Sequence, residues 1–510
     1  MPETLTTTDP RTGTRSDTGI APTSGDEVAV IVARAKDAAQ EIASRSRAWR
    51  ARLLDGLADS LEEHRDRLVS TAETETGLTA ARLEGELSRT TFQLRLFGEA
   101  VREGGFLEAA IDHATETPLG RQPDVRRMLV PVGPVAVFGS SNFPFAFSVP
   151  GGDTASALAA GNPVVVKAHS AHPLTSKVSY EALRAGAERV DAPEGTLGIV
   201  FGQQAGVTLV EHAAIAAVGF TGSLGAAQHL RAAIEGRPRP IPFYGELQSV
   251  NPLVITEAAL RARGAEIAVG LSSSITASGG QLCTKPGIAF VPAGDAADQF
   301  ARRLGDAVGA SDPGVLLNER VLASFGESVA SLEAAPGVIA LTGATTPDGT
   351  GFSVAPRVLR VQARDLTTAH TIEAFGPLVL VVDYHDVDEL AVALAQVPHS
   401  LTATLHVEDT DLGRIVELLP VLQEASGRIV FNGYPTGVRV SWAQHHGGPW
   451  PATNTVHTSV GVTAIRRFLR PLAWQNAPET LLPEELRDDF AEIPRRVDGA
   501  LITTSRSGGS

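Results

Sequence analysis

Apolar positions along the chain change their period near residue 110. From Glu27 to Ile42 and from Trp49 to Thr71 they recur at helical spacing, which predicts amphipathic helices over much of 26–110. Beyond that point short, continuous apolar runs appear, as is typical of strands buried on both faces. These runs are Val135–Phe138, Val164–Lys167, Leu197–Phe201 and Ala217–Thr221. With helical stretches at about 153–160 and 175–187 between them, they predict a doubly wound α/β domain that binds a nucleotide at the carboxyl ends of its strands.

A second α/β unit is predicted beyond Phe243. Its strands are expected at 252–255, 288–291, 378–382 and 428–432, with a helix at about 257–277. The predicted division is a flexible N-terminal arm at 1–25, a nucleotide-binding domain at 26–245, a second α/β domain at 246–440 and a C-terminal segment at 441–510. The arm is rich in Thr, Ser, Pro and Gly, and the Ser/Gly-rich end from Thr503 to Ser510 is expected to be disordered.

Composition narrows the class of protein. The chain of 510 residues has 43 Lys and Arg against 58 Asp and Glu, a net charge of -15, which argues against a non-specific nucleic-acid binder. The N-terminus lacks the apolar core of a secretory signal, and no apolar run is long enough to cross a membrane. The single cysteine excludes an intrachain disulfide and fits a reducing compartment, so a cytoplasmic protein is expected.

That cysteine, Cys283, lies in the segment Ser278-Gly-Gly-Gln-Leu-Cys-Thr-Lys-Pro286. Glycines before it remove side-chain bulk, as a nucleophile approached by substrate requires. A lone cysteine is more often a small buried apolar residue, and the polar, glycine-rich surroundings only balance that interpretation. The segment by itself leaves both interpretations open.

Three further segments change that balance. Glu246 lies in Tyr244-Gly-Glu-Leu-Gln-Ser-Val-Asn-Pro252, Asn142 lies in Gly139-Ser-Ser-Asn-Phe-Pro144 after a predicted strand, and Glu373-Ala-Phe-Gly-Pro377 precedes another strand. Each alone is more often a surface acid or a turn. Together, in this order around the cysteine segment, they resemble the aldehyde dehydrogenase superfamily from about residue 26 to 475. The resemblance implies that superfamily's fold, with cofactor and catalytic α/β domains and a small β oligomerisation element.

The resemblance also implies the chemistry. Cys283, as a thiolate, would attack an aldehyde carbon, and the side-chain amide of Asn142 with the backbone N–H of Cys283 would stabilise the oxyanion. Glu246 would activate the water that hydrolyses the thioester, with a pKa raised towards neutrality. His446, next to His445, is a further catalytic candidate near the cysteine, although structural histidines are the commoner case. No metal is expected.

The cofactor is expected to be NADP, with NAD as the alternative. By resemblance, Gly222 and Ser223 open a helix that binds the pyrophosphate. Lys167 would contact the adenosine ribose, and Ser170 stands where relatives that prefer NAD carry an acid, so a 2′-phosphate would not be repelled. By the same resemblance, Glu373 would bind the nicotinamide ribose and Phe375 would pack near the ring. Core packing of Phe375 is the alternative.

The substrate is expected to be a small aldehyde. Stretches such as Phe431–Val438 and His446–Pro449 resemble dehydrogenases of α-ketoglutaric semialdehyde, 2,5-dioxopentanoate. Long aliphatic aldehydes are the alternative, and a CoA-acylating enzyme or a non-catalytic structural protein are the alternatives of other classes. Lys285 and Arg439 are candidate cations for a substrate carboxylate. A strand within 115–133 and the segment after about 455 are expected, by resemblance, to build a homodimer or homotetramer.

Overall fold

A computed structural model describes residues 4–342 and 350–503 of the chain. Its α-helices, in chain order, are α1 Gly25–Ala43, α2 Arg47–Glu63, α3 Arg65–Thr76, α4 Ala80–Glu103, α5 Gly152–Ala160, α6 Pro173–Glu188, α7 Gln203–Glu211, α8 Leu224–Glu235, α9 Glu257–Thr276, α10 Asp295–Gly309, α11 Glu319–Glu333, α12 Val387–Leu394 and α13 Leu412–Ala425. The predicted helices in 26–110, at 153–160, at 175–187 and at 257–277 are confirmed within a few residues.

The strands are β1 Thr6–Thr8, β2 Arg15–Asp17, β3 Ala110–Asp112, β4 Thr115–Thr117, β5 Gly120–Gln122, β6 Val125–Pro131, β7 Val135–Phe138, β8 Val164–Lys167, β9 Leu197–Val200, β10 Ala217–Thr221, β11 Phe243–Glu246, β12 Pro252–Ile255, β13 Ile288–Pro292, β14 Gly314–Val315, β15 Ile339–Ala340, β16 Ser353–Val354, β17 Arg357–Gln362, β18 Leu378–Tyr384, β19 Ser400–His406, β20 Ser426–Phe431, β21 Leu469–Gln475, β22 Arg495–Val497 and β23 Ala500–Ile502. The predicted strands are all present.

The first sheet is parallel, with the order β9-β8-β7-β10-β11. The chain moves outward from β7 through β8 to β9 and then returns to the other side of β7 with β10. Ligands of doubly wound folds bind at such a reversal, outside the carboxyl ends of the strands. The segments carrying Asn142 and Gly222 leave these ends of β7 and β10, so the topology places both at the crevice.

The second sheet has the order β15-β17-β18-β13-β12-β19-β20, parallel except for the short β15. Its strands β12, β13 and β18 are almost entirely apolar and buried, as expected for strands covered by helices on both faces, and β19 is buried although it carries several polar residues. Glu246 ends the last strand of the first sheet, and the second sheet begins six residues later at Pro252. Cys283 lies in the connection between α9 and β13.

A third sheet has the order β21-β6-β3-β22-β23 and joins residues near 110–131 to the C-terminal segment. β6 and β21 pair antiparallel over seven residues, from Pro131 with Leu469 to Val125 with Gln475. The charged stretch beyond Pro478 therefore contributes two strands to a sheet. The predicted disorder of 503–510 falls almost entirely outside the described residues.

The N-terminal arm differs from the prediction of a flexible segment. β1 and β2 form an antiparallel hairpin, and the arm is anchored to both α/β units. Arg11 donates to the Leu78 carbonyl and pairs with Glu73, whereas Phe352 N–H donates to the Pro10 carbonyl at 2.8 Å. Threonine suits a paired strand because it is β-branched, so a Thr-rich composition that suggests disorder here supports a hairpin.

None of the described helices combines the length and apolar character needed to cross a membrane. The helices instead cover the sheets. The sequence of α1 accounts for both its start and its packing. Ser24 and Glu27 form a capping box at its first turn, and its buried face carries Val28, Val32 and Ile42.

The buried side chain of Asn162 joins three backbone segments, so its substitution tests how much these hydrogen bonds contribute to the free energy of unfolding. Its side chain is fully buried; Oδ1 accepts from Gly133 N–H at 2.8 Å, and Nδ2 donates to the Ala157 and Phe468 carbonyls at 3.2 and 2.9 Å. Asn162→Ala leaves buried backbone groups without partners, so we expect it to lower the free energy of unfolding by about 1–3 kcal/mol. Urea unfolding measures this against Gln299→Ala, an exposed amide on α10, and equal midpoints for the two variants would contradict the assignment.

Candidate active site

Three side chains from distant parts of the chain meet in one cluster. The Sγ of Cys283, a carboxylate oxygen of Glu246 and a ring nitrogen of His446 all lie within 4.8 Å of one another. Glu246 comes from the carboxyl end of β11, Cys283 from the connection before β13 and His446 from the segment after β20. Cys283 is partly exposed, whereas Glu246 and His446 are buried. Cys283 is therefore not fully enclosed, although its thiol lies beside two buried polar groups.

The connection that carries the cysteine has an unusual backbone. Ser278, Gly279 and Gly280 follow α9 with φ of 51°, 63° and 69°, the left-handed region that ends helices. A Cβ on Gly280 would lie 2.3 Å from the backbone of Gly376, so this position also needs glycine for space. The two flanking glycines thus serve the turn that presents Cys283 to the crevice.

Two buried amides hold this turn. Asn251 donates from Nδ2 to the Cys283 carbonyl at 2.8 Å and to the Lys285 carbonyl at 3.0 Å. Gln281 donates to the Ser278 and Val315 carbonyls and accepts from Leu317 N–H at 2.9 Å. The sequence analysis assigned neither residue a role, although both lie inside the segments that define the resemblance.

Asn142 reaches the same turn. Its Nδ2 donates to the Gln281 carbonyl at 2.8 Å, and the side chain is 7% exposed. This bond uses one of the two amide hydrogens, because a side-chain amide carries two. The structure thus brings Asn142 and the cysteine segment together, while the predicted role in the oxyanion hole remains a prediction.

Glu246 is held from two sides. Its Oε1 lies 2.9 Å from His446 Nε2, and its Oε2 accepts from Ser459 Oγ at 2.7 Å. Burial alone would raise the pKa of this carboxyl, but the charge of His446 and the hydrogen bonds from His446, Ser459 and Cys283 lower it below its usual value. The expectation of a raised pKa for Glu246 is therefore wrong for this state of the site, because that expectation took no account of these partners.

The pKa of Cys283 is shifted in the opposite direction to that of Glu246. Burial, followed by the negative charge of Glu246 and a hydrogen bond to it, raises the pKa of the thiol well above its usual value. The resting group at neutral pH is the thiol rather than the thiolate that the sequence analysis assumed. Its proton has a neighbouring acceptor in the Glu246 carboxylate.

His446 belongs to this cluster by contact. Its Nε2 lies 3.6 Å from Cys283 Sγ, and its backbone N–H donates to Thr458 Oγ1 at 2.8 Å. Its Nδ1 is buried without a partner among the described residues. The same three ligand atoms would also suit a soft divalent ion, so the expected absence of a metal stays a prediction.

The candidate cofactor residues surround the crevice of the first sheet. Ser223 caps α8 by accepting from Ala226 N–H, and Gly222 N–H donates to the Glu246 carbonyl at 3.0 Å. Lys167 ends β8, where burial lowers its pKa to about 8, and Ser170 is exposed in the turn that follows. The start of α8 follows β10 and Lys167 ends β8, on either side of β7 at the same edge of the sheet, a donor set that fits a dinucleotide.

Glu373 and Phe375 lie before β18 and are both half-buried. Burial raises the pKa of Glu373 to about 7, although a hydrogen bond from the Ser249 backbone and the charge of Lys285 oppose the shift. The Nζ of Lys285 donates to the Leu378 carbonyl at 2.7 Å. The charge of Lys285 is thus engaged close to Glu373, which makes it a poor candidate for a substrate carboxylate, and Arg439 is exposed.

A sulfur nucleophile, a buried acid and an amide at the junction of two α/β sheets are the groups of an enzyme that works through a covalent cysteine intermediate. The family model described as "Aldehyde dehydrogenase family" matches residues 2–449. The chain belongs to the aldehyde dehydrogenase family. It is 44% identical over 473 residues to alpha-ketoglutaric semialdehyde dehydrogenase 2 of Azospirillum brasilense, covering 91% of this chain and 90% of that protein.

Another relative and two solved structures are also similar to this chain. The alpha-ketoglutaric semialdehyde dehydrogenase of Acinetobacter baylyi is 41% identical over 459 residues, 89% of this chain and 87% of that protein. Among solved structures, PnpE from Pseudomonas sp. WBC-3 is similar with a TM-score of 0.76 and 25% identity, covering 93% of this chain and 94% of that one. A structure of NADP-dependent glyceraldehyde-3-phosphate dehydrogenase from Bacillus halodurans complexed with NADP has the same fold, with a TM-score of 0.78 and 22% identity, covering 93% of this chain and 96% of that one. The predicted fold class and enzyme class are confirmed.

Because Cys283 is the only cysteine, a thiol reagent reports on it alone. We expect its alkylation by iodoacetamide to keep increasing beyond about pH 9, where an ordinary thiol is already mostly ionised. Glu246→Gln removes the charge that helps to raise the thiol pKa, so alkylation at pH 8 should become several times faster although dehydrogenase activity falls. Alkylation is measured by mass spectrometry.

Glu333→Gln, which removes an exposed acid on α11, is the control for net charge and should leave the profile unchanged. A wild-type plateau below pH 8, or slower alkylation of the Glu246 variant, would contradict the electrostatic assignment of the cluster.

Proposed function

We propose that this enzyme oxidises 2,5-dioxopentanoate to 2-oxoglutarate with NADP as hydride acceptor. The observation that carries the chemistry is the meeting of Cys283, Glu246 and His446 within 4.8 Å. The substrate is supported by two relatives, at 44% and 41% identity, that are named for this aldehyde and match about nine-tenths of the chain.

In the proposed reaction, Cys283 Sγ forms a bond to the aldehyde carbon as its proton passes to the Glu246 carboxylate. The carbonyl electrons move to the oxygen, which accepts from the remaining amide hydrogen of Asn142 and the backbone N–H of Cys283. NADP, when bound, supplies the acceptor for the hydride that leaves this carbon. What remains on Cys283 is a thioester.

Hydrolysis of the thioester needs a base. Glu246, once it has released the first proton to solvent, takes a proton from water, and the hydroxide adds to the acyl carbon. The C–S bond then breaks, the acid leaves and the proton on Glu246 returns to sulfur. His446 lies next to both Cys283 and Glu246, so it positions the carboxylate and shares the proton. A CoA-acylating enzyme would have no use for a carboxylate held beside the sulfur in this way.

We propose NADP rather than NAD from the turn after β8. Lys167 and Ser170 would contact the 2′-phosphate, and Gly222 and Ser223 at the start of α8 would bind the pyrophosphate. Glu373 would bind the nicotinamide ribose, with Phe375 near the ring. Two NADP-bound or NADP-dependent enzymes share the fold, a glyceraldehyde-3-phosphate dehydrogenase and a 3,6-anhydro-L-galactose dehydrogenase in complex with NAP.

We propose that the enzyme is a homodimer or homotetramer, with the third sheet and the β4–β5 hairpin at the contact. Leu119 at the tip of this hairpin is 91% exposed, and Val456 in the C-terminal segment is 89% exposed. Apolar side chains this exposed are commonly covered by a partner. The proposed compartment is the cytoplasm, since catalysis through Cys283 needs a reduced thiol.

A burst experiment tests the function. Stoichiometric enzyme mixed with 2,5-dioxopentanoate and NADP should give a burst of NADPH followed by turnover. Cys283→Ala should give neither phase, because no thioester forms. Glu246→Gln should slow hydrolysis, so the acyl-enzyme accumulates and appears as an added mass on the intact protein.

The same assay with a long-chain aliphatic aldehyde distinguishes the alternative substrate class. We expect kcat/KM for 2,5-dioxopentanoate to be greater by at least about tenfold. A preference for the long-chain aldehyde would overturn the proposed substrate, and turnover by Cys283→Ala at the wild-type rate would overturn the mechanism.

Ser170→Glu tests the cofactor. A carboxylate there would repel the 2′-phosphate and bind the ribose hydroxyls, so kcat/KM for NADP should fall by about tenfold or more relative to NAD. Ser70→Glu, at an exposed position of α3, is the matched control for added charge. A wild-type enzyme that strongly prefers NAD, or a Ser170 variant with an unchanged cofactor ratio, would refute this assignment.

A further inference from the structure

Arg89 on α4 carries a guanidinium that its surroundings satisfy poorly. Its Nε lies 3.5 Å from the Val438 carbonyl and its Nη1 lies 3.5 Å from Gln93 Oε1, both at the limit of hydrogen bonding. Its Nη2 is buried and has no hydrogen-bond partner among the described residues. A buried donor left in this way costs free energy unless a ligand completes it.

The position of this guanidinium links it to the catalytic cluster. Its Cζ lies 5.3 Å from the ring centroid of Phe147, and that ring lies 6.0 Å from the ring of His446. Burial lowers the pKa of Arg89, and the charges of Glu86, Cys283 and Glu246 act against this shift. Arg89 is therefore a cation close to the reacting sulfur, on the side where Phe147 covers His446.

Some buried arginines elsewhere in the described residues have a carboxylate partner, whereas buried Arg495 donates to backbone carbonyls. Arg47 pairs with Glu485 at 3.0 Å, and Arg467 pairs with Asp153 at 2.6 Å. The acid nearest in sequence to Arg89 is Glu86, which is already engaged. Arg89 forms no ion pair within the part of the chain that the structure describes.

Glu86 is committed elsewhere by all of its contacts. Its Oε2 pairs with Arg82 at 2.6 Å, and its Oε1 accepts from the backbone N–H groups of Phe145 and Ala146 at 2.8 Å each. These bonds secure the segment after Asn142, so Glu86 acts on Arg89 through its charge but accepts no hydrogen bond from it. An anionic ligand would supply the missing partner.

We propose that Arg89 binds the carboxylate of the substrate and sets the preference for ω-carboxylated aldehydes. This proposal rests on the proposed function. In 2,5-dioxopentanoate three carbon atoms separate the carboxylate from the aldehyde, so one end can bind a cation while the other meets Cys283. The planar guanidinium suits a carboxylate because it can donate two parallel hydrogen bonds.

The assignment also separates the two substrate classes. A long aliphatic aldehyde offers no anion to this site, so its binding would leave the guanidinium desolvated against an apolar chain. Arg428, a second arginine whose charge acts on Cys283, donates from Nη1 and Nη2 to the Gly437 and Pro435 carbonyls at 2.9 and 2.6 Å, and its buried Nε has no hydrogen-bond partner among the described residues. These two bonds hold residues 435–437 in place. The next residue, Val438, has the carbonyl that lies 3.5 Å from Arg89 Nε.

Arg89→Gln tests the proposal with two pairs of aldehydes. The pairs are 2,5-dioxopentanoate with pentanal, which differ in the carboxylate and the 2-oxo group, and succinic semialdehyde with butanal, which differ in the carboxylate alone. We expect the ratio of kcat/KM, charged over uncharged, to fall by about 10²-fold, mainly through KM. Arg89→Lys, which keeps a point charge, should recover part of the ratio.

Arg95→Gln is the matched control, because Arg95 lies on the same helix in an exposed ion pair with Asp59. It should leave both ratios unchanged. Equal losses for the charged and uncharged members of a pair, or unchanged ratios in Arg89→Gln, would overturn the proposal. Thermal unfolding of each variant separates a loss of fold from a loss of recognition.

The two pairs also distinguish this proposal from the proposed function. If the wild type rejects 2,5-dioxopentanoate but Arg89→Gln abolishes the preference for succinic semialdehyde over butanal, the named substrate is wrong and the carboxylate site stands. If the wild type prefers 2,5-dioxopentanoate and the variant keeps that preference, the substrate stands and the site is wrong.

Discussion

The hydrogen bonds to Glu246 connect the parts of the structure on which catalysis depends. The carboxylate ends the last strand of the first sheet, yet it is bound by His446 and Ser459 from the C-terminal segment and lies beside a cysteine that precedes a strand of the second sheet. A buried carboxylate is costly unless it is paired and hydrogen-bonded. These contacts stabilise the ionised form while they bring three separate segments together.

The same contacts set the resting chemistry of the site. A carboxylate with a lowered pKa next to a thiol with a raised pKa keeps the proton on sulfur until an electrophile arrives. This arrangement limits side reactions of the nucleophile, because the thiolate is the reactive form. In the proposed mechanism, once the sulfur bonds to carbon the carboxylate is already in place to take the proton and then to activate water.

Charge is distributed unevenly around this centre. Arg82 and Glu86 satisfy each other while they secure the segment behind Asn142, whereas Arg89, one helical turn further along α4, has no such partner. Both arginines lie over phenylalanine rings, Phe143 and Phe147, which exclude water from one face of the guanidinium. The helix thus carries one cation used for structure and one directed at the substrate.

The sequence by itself determined the class of fold and the main chemical groups. The buried strands at 135–138, 164–167 and 252–255 were predicted at their observed limits, because an uninterrupted apolar run has few other uses. The strands β17 and β19 were not predicted, since polar residues such as Arg360 and Thr402 interrupt them and only burial beside neighbouring strands explains their conformation. The Thr-rich N-terminus was misread because its β-hairpin depends on contacts with residues far along the chain.

Cys283, Glu246 and Asn142 were recognisable from four ordered motifs. The pKa shifts of Cys283 and Glu246, and the lack of a hydrogen-bond partner for Arg89 Nη2, were decided only by the tertiary structure. A pKa depends on burial and on charges within a few ångströms, and those neighbours come from segments hundreds of residues apart. His446 shows this most clearly: the resemblance gave it only as a candidate near the cysteine, and the fold places its ring against both the sulfur and the carboxylate.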